Sequence, residues 1–323
     1  MRILVTGASG LIGSRLVVEL SKEHDVMGVS LFDSGKMLAK DCKWGDVRDS
    51  GLTTQIRSFG PDLVVHLAAI ATNSYANLHP EETFSINAGG TVNMVEICRG
   101  LVPQPVFVLA SSSEVYGGAT DTVDEKSPIK ATTPYAASKI AAEEYVRCSG
   151  LRYVIMRPFN TYGRALIGVP VAVPDKAIVS AVTHRRIELW DPRPQRDFMF
   201  REDHVDAYRT LIRQLAEEGG QAKNLYGETF VFGTGIAVSI GDLFDLIVDL
   251  VQPRDVVIVN KPQSRPGDIP VLKADCSKAR EMLGWIPKWS LRSGLEQAYS
   301  EWQRRLQGAN DGRVPVLDAS RSR

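Results

Sequence analysis

The chain has 323 residues, enough for one large domain or two modest ones with a sizeable core. Its 44% hydrophobic and 24% charged residues are those of an ordinary globular protein, which excludes disordered and fibrous classes. With 38 basic and 38 acidic residues the formal net charge is zero, which argues against nucleic acid or a membrane surface held by bulk charge.

Ile3-Leu4-Val5 is a short apolar run of the kind that makes a buried parallel strand. Met1 and Arg2 lead straight into it without a signal-peptide apolar segment, and no later run approaches the roughly 18 apolar residues of a membrane span. A cytoplasmic protein without membrane contact is expected. The strand ends in Thr6-Gly7-Ala8-Ser9-Gly10-Leu11-Ile12-Gly13, and a helical pattern follows over Ser14–Leu20. Strand, glycine turn and helix in that order is the context of a dinucleotide-binding fingerprint, here spaced G-x-x-G-x-x-G. Gly7, Gly10 and Gly13 let the backbone approach a pyrophosphate, and the N–H groups around Leu11 and Ile12 meet its charge. An NAD(P) cofactor is therefore expected.

A second strand covers Asp25–Ser30. Dinucleotide folds usually carry Asp or Glu at its end, accepting from the ribose 2′-OH. Ser30 there removes a charge that would repel a 2′-phosphate and tilts the reading toward NADP, with Lys36 the nearest downstream cation. Asp33 remains available for the NAD role. In Trp44-Gly45-Asp46-Val47-Arg48-Asp49, Asp46 and Val47 either flank an adenine or form a solvated turn. Leu63-Val64-Val65-His66 makes another buried strand, and Leu67, Ala68 and Ala69 let a cofactor lie across the sheet edge. Asn87, leading into a helix with apolar Val92, Val95 and Ile97, either bonds backbone near the site or caps that helix.

The strand Pro105–Leu109 delivers Ser111, Ser112, Ser113 and Glu114 at its carboxyl end, where open α/β sheets bind ligands. Pro134-Tyr135-Ala136-Ala137-Ser138-Lys139 then opens an Ala-rich helix. Its four-residue spacing puts a phenol and an ammonium on one face, about 5–6 Å apart at Cβ. A neighbouring cation lowers a phenol's pKa, so Tyr135 with Lys139 is a candidate proton acceptor for an alcohol or donor to a ketone. Cys42, Cys98, Cys148 and Cys276 show no metal-ligand spacing, so free thiols and no metal are expected.

In this order the pieces resemble the extended short-chain dehydrogenase/reductases, in particular the nucleotide-sugar epimerase/dehydratase group. The resemblance rests on the glycine turn, Asp46–Asp49, His66–Ala69, Ser111–Gly117 and Tyr135/Lys139. It continues through Arg157–Gly163, Arg196-Asp197-Phe198, Arg265-Pro266-Gly267-Asp268 and Leu283–Pro287. It implies an α/β fold, a Rossmann-type doubly wound parallel sheet with a smaller C-terminal substrate-binding lobe. The cofactor domain is expected mainly over 1–165 and the substrate lobe mainly over 166–305, with some segments returning to the first; the Gly, Asn, Asp, Ser and Arg of 306–323, which show no periodic pattern, read as a mobile tail.

By the same resemblance Tyr135 is the acid/base, Lys139 holds the nicotinamide ribose and lowers the Tyr pKa, and Ser112 holds the sugar oxygen. Glu114 matches dehydratase-like and decarboxylase-like members; in a 4,6-dehydratase it removes the proton α to the C4 ketone, and Ser113 stands where an Asp would assist loss of the C6 hydroxyl. Asn160 and Ser113 would contact the sugar or phosphate, Trp190 would stack on the base, and Arg196 and Arg265 would hold a diphosphate, with Arg193 a third candidate. His204 caps or packs. The expected substrate is a nucleoside-diphosphate sugar, and the expected assembly is a homodimer through the helix after Asn87 and the Tyr135 helix. Epimerisation or dehydration after hydride transfer at C4 is the leading reading. An NADPH-dependent 4-ketosugar reductase, a dehydrogenase of a small alcohol or steroid, and a non-catalytic NAD(P)-sensing regulator are the alternatives.

Overall fold

Short strands apolar on both faces, separated by amphipathic helices, bury a parallel sheet between two helical layers. The computed structural model describes residues 1–31, 41–165, 170–217, 224–251, 255–261 and 269–310. The chain begins β1 (Arg2–Thr6), α1 (Gly13–Leu20), β2 (Asp25–Ser30), β3 (Asp41–Trp44), α2 (Leu52–Phe59) and β4 (Leu63–His66). It continues α3 (Asn73–Leu78), α4 (Pro80–Phe84), a π-helical turn (Ser85–Gly89), α5 (Gly90–Arg99), β5 (Val106–Ala110) and a 3-10 turn (Ser113–Val115). Next come β6 (Thr122–Val123), α6 (Pro134–Cys148), β7 (Tyr153–Pro158), β8 (Asn160–Tyr162), α7 (Val173–His184), β9 (Arg186–Leu189) and β10 (Gln195–Phe200). The last are α8 (Arg201–Ala216), β11 (Thr229–Phe232), β12 (Ala237–Ser239), α9 (Ile240–Leu250), β13 (Val257–Asn260), β14 (Val271–Ala274), α10 (Ser277–Leu283) and α11 (Leu291–Asn310).

The main sheet runs β11-β7-β5-β4-β1-β2-β3, and every pairing in it is parallel. Period-two alternation divides its side chains between two cores. Ile3 and Val5 pack with Leu16 and Val17 of α1 and with Val205, Leu211 and Leu215 of α8. Leu4 points the other way, to Ile56, Met94, Val95, Ala142 and Val146 of α2, α5 and α6. Each fully buried aliphatic side chain of this kind contributes roughly 1.5–3 kcal/mol. Strand order reverses at β1, between β2 and β4, which opens a crevice at the carboxyl ends.

A separate mixed sheet, β12-β10-β14-β6 with β8 on β10, and a two-stranded β9–β13 pair make the smaller layer. Only the β10–β12 pairing is antiparallel among these. A third core of α7, α9 and α11 residues, including Ile178, Leu243, Phe244 and Trp302, backs them. α11 extends through Asn310, five residues into the segment read as a mobile tail. The reason is that Leu295, Ala298 and Trp302 anchor the helix in this core. Residues 311–323 lie outside the described residues, as do Asp33, Lys36 and Arg265.

Candidate active site

The glycine turn closes on itself because it has no side chains to exclude. Gly7 sits at φ +68, and a Cβ there would stand 2.8 Å from the Ala68 amide nitrogen. A Cβ on Gly13 would overlap the Gly7 carbonyl, which accepts from Gly10 N at 3.0 Å. Ile12, the residue before α1, makes no side-chain cap, so the first-turn N–H groups have no side-chain acceptor there. A narrow backbone cradle ending in a helix N-terminus fits a dinucleotide pyrophosphate. Leu67, Ala68 and Ala69 follow β4 beside it, half-buried. Ser30 is buried, and its hydroxyl donates to Ser9 of the turn at 2.5 Å, so it braces the loop. Asp46 accepts from Arg48 on both carboxylate oxygens, the shortest contact at 2.6 Å, and this holds its pKa below the usual range.

α6 begins where Pro134 takes the first helical position and the Thr133 hydroxyl accepts from Ala136 N at 3.1 Å. The helix buries Tyr135 (6% exposed) and Lys139 (4% exposed) against the end of β5. Ser112 hydrogen-bonds the Tyr135 phenol. Lys139 Nζ donates to the Ala110 carbonyl at 2.8 Å and lies 6.0 Å from the Tyr135 ring centre. Here the geometry corrects the expected lowering of the phenol. Burial pushes Tyr135 up to about 12, Ser112 works against that, and Glu114 adds to it. Burial likewise pushes Lys139 down to about 8, against the field of Glu143.

Asn87 is a backbone clamp. Its Oδ1 accepts from Ile70 N at 2.8 Å, and its Nδ2 donates to Ile70 O at 3.0 Å and Ser138 Oγ at 2.9 Å. It therefore ties the chain after β4 to α6. It lies in the π-helical turn, a distortion common near functional sites. His66 sits between Thr6 Oγ1 (2.8 Å) and Thr91 Oγ1 (3.2 Å), and burial holds it neutral with a pKa of about 3.

Beside this lies a cleft of about 500 Å³ whose walls include Asn73, Glu114, Thr133, Lys176, Glu188 and Trp190. Asn73 Nδ2 donates to Glu114 Oε2 at 3.1 Å, and the Thr133 hydroxyl donates to Asn73 Oδ1 at 3.1 Å. Glu114 is thus tied to the start of the Tyr135 helix. Ser113, expected to touch substrate, is only 2% exposed inside the 3-10 turn, because the turn folds its side chain inward. Arg196 is also buried (8% exposed), with Nη1 donating to the carbonyls of Gln195 at 2.9 Å and Ile269 at 2.5 Å. Asn160 Nδ2 donates to Asp197 O at 3.4 Å, and Arg193 pairs with Asp191 at 2.9 Å. His204 packs, as expected, stacked on Tyr208 with Nδ1 bonded to Thr161 Oγ1 at 2.9 Å.

Sequence reasoning missed Asn73 and the buried Glu143–Arg157 pair. Asn73 carried no signal, whereas Glu143 continues the four-residue spacing of Tyr135 and Lys139. Among the described residues no group of His, Cys, Asp and Glu is placed to hold a metal ion, and no helix is long and apolar enough to cross a membrane.

A family model described as the NAD dependent epimerase/dehydratase family matches residues 3–225. A UDP-glucose 4-epimerase of Mycolicibacterium smegmatis is 30% identical over 95% of this chain and 100% of its own length. The crystal structure of the Thermotoga maritima UDP-glucose 4-epimerase with UDP-glucose superposes with a TM-score of 0.82 at 27% identity, covering 95% of this chain and 100% of that one. MoeE5 in complex with UDP-glucuronic acid and NAD superposes at 0.81 and 28% identity over 95% of this chain and 100% of that one.

Proposed function

This chain belongs to the NAD-dependent epimerase/dehydratase family of nucleotide-sugar enzymes, and from that premise we propose that it oxidises C4 of a UDP-linked sugar, with Tyr135, Ser112 and Lys139 as its proton-handling group. One observation carries the reading: Ser112, at the carboxyl end of β5, hydrogen-bonds the buried phenol of Tyr135, and Lys139 lies one helical turn further on.

Bound NAD supplies the hydride acceptor, and Gly7, Gly10, Leu11, Ile12, Gly13, Asp46, Val47, Leu67, Ala68, Ala69, Tyr135 and Lys139 are the residues to hold it. We take NAD over NADP. The family description names NAD, and the Ser30 hydroxyl serves Ser9, so the small residue at the end of β2 is explained by loop packing. Tyr135 is fully protonated at neutral pH, ready to donate to a C4 ketone. To accept the hydroxyl proton in the oxidative direction Tyr135 must first lose its own proton to solvent, and Ser112, which favours the phenolate, assists that loss. Trp190, Asn160 and Arg196, with Arg265, are the residues assigned to the nucleotide and its phosphates. A homodimer through α5 and α6 belongs to the same reading.

With NAD held in this site, a ketosugar that turned its other face before being reduced again would leave as the C4 epimer. Glu114 favours a second outcome. Its carboxylate lines the cleft and is held by Asn73, so the cleft offers a base for the proton that a C4 ketone acidifies, as elimination of water requires. Incubation of the purified protein with a panel of UDP-, dTDP-, GDP- and CDP-sugars, with and without NADPH, separates the cases by product mass. Mass is unchanged for epimerisation, one water lighter for dehydration and two hydrogens heavier for reduction. No turnover of any nucleotide sugar by the NAD-loaded protein would overturn the proposal.

A further inference from the structure

One face of α6 carries Tyr135, Lys139, Glu143 and Arg147 at four-residue intervals. Glu143 is wholly buried. A buried carboxylate costs several kcal/mol unless its lone pairs are met, and here four donors meet them. Oε1 accepts from Ser111 Oγ and from Arg157 Nε at 2.9 Å. Oε2 accepts from Arg157 Nη2 at 2.5 Å and Arg147 Nη2 at 3.2 Å. Arg157 Nη1 goes on to Tyr116 Oη at 2.8 Å. The end of β5 and β7 therefore converge on one carboxylate, with Tyr116 at the end of the 3-10 turn joined to it through Arg157, and that carboxylate belongs to the helix bearing Tyr135 and Lys139.

We propose that Glu143 is a positioning residue of the hydride-transfer site, locking α6 to the ends of β5 and β7 and serving as the counter-charge that keeps Lys139 a cation. This rests on the catalytic reading above. Ser111, one end of the lock, lies between Ala110, whose carbonyl takes the Lys139 proton donor, and Ser112, which bonds Tyr135. A tilt of α6 would thus disturb both contacts together.

The electrostatic half follows from the groups around Lys139. From its own helix it meets Tyr135, a neutral phenol, and Glu143. His66 on β4 is neutral. Beyond Glu143 stand the cations Arg157 of β7 and Arg147 of α6, both bonded to its carboxylate. Burial alone drives Lys139 down, and Glu143 opposes it. Burial also works to raise Glu143 itself, but the hydrogen bonds and charge of Arg157, with Ser111 and Arg147, hold it below the usual carboxylate range. It therefore stays an anion wherever the site operates.

Glu143→Gln keeps an oxygen for Arg157 and removes the charge. The primary readout is NAD affinity against pH, followed by tryptophan fluorescence with NAD alone, so it needs no sugar substrate. In the wild type the affinity falls with loss of the Lys139 proton. In E143Q that fall moves to lower pH by about one unit, while affinity at pH 6 stays within about threefold of wild type, a margin of roughly 0.7 kcal/mol. Glu143→Asp retains the charge on a shorter arm; its pH midpoint stays in place while kcat drops at every pH. A folded E143Q with an unmoved midpoint, or an affinity loss equal at all pH, would overturn the proposal. So would a displaced midpoint in E143D, which decides the matter even if E143Q fails to fold. Failure of the sugar panel with these NAD profiles intact would sink the C4 reading and leave the Glu143–Lys139 coupling standing.

Discussion

Replacing Gly7 by Ala probes the cofactor cradle with the least chemistry. Gly7 adopts φ +68, and a Cβ there would lie 2.8 Å from Ala68 N and 2.9 Å from Leu67 C. The left-handed backbone costs an alanine roughly 1–2 kcal/mol, and forcing a methyl into a packed site costs roughly 1–3 kcal/mol more. Neither obstructing atom belongs to a flexible side chain. Both follow β4, whose four residues are fully buried and whose His66 pairs with Thr6 of β1. The wall cannot retreat without opening the centre of the sheet. Two responses remain: the turn keeps its shape and the fold loses stability, or the turn moves off β4 and NAD affinity falls. The two losses together should total about 2–5 kcal/mol, and a loss of 2 kcal/mol taken entirely in binding is roughly a 30-fold rise in Kd. Calorimetric NAD titration and urea unfolding of the same preparation measure both. If G7A binds NAD within about threefold of wild type and unfolds within about 0.5 kcal/mol of it, inside the range of an ordinary surface substitution, the cradle argument is refuted.

Tyr135→Phe should lower kcat by about 10²–10⁴-fold, the usual contribution of a positioned acid/base, with NAD affinity retained; turnover near wild type would remove Tyr135 from the chemistry. Trp190→Ala should raise KM for the nucleotide sugar by about 5–150-fold at unchanged kcat, the equivalent of roughly 1–3 kcal/mol of base stacking, and an unchanged KM would place the base elsewhere. Acid stability tests the buried histidines. His66 and His204 fall from 6.5 to about 3 on burial, so between these values the unfolded chain binds protons that the folded one refuses. Stability is therefore complete above pH 6.5 and drains as pH falls, by roughly 1.4 kcal/mol per pH unit for each histidine. Urea unfolding at pH 6 and pH 4.5 should show this slope, and His204→Gln should shallow it by about one histidine's share; an equal slope in the variant would contradict the assignment.

What was legible in the sequence is what the chain achieves locally. The turn Gly7–Gly13 spans seven residues between a strand and a helix, and its chemistry needs only backbone that side chains would block. Tyr135 and Lys139 share a helix face by spacing alone, and apolar runs such as Leu63–His66 declare themselves as buried parallel strands. The tertiary structure decided everything that joins residues far apart in the chain. Asn87 reaches back 17 residues to Ile70 and forward 51 to Ser138. Glu114 meets Asn73 across 41 residues. Glu143 meets Arg157 from a neighbouring strand. Tyr135 and Lys139 illustrate the division most sharply. Spacing puts both on one face, but burial sets their protonation, and Lys139 turns to the Ala110 carbonyl instead of drawing down the phenol. Desolvation is a property of the packed interior, and no local pattern encodes it.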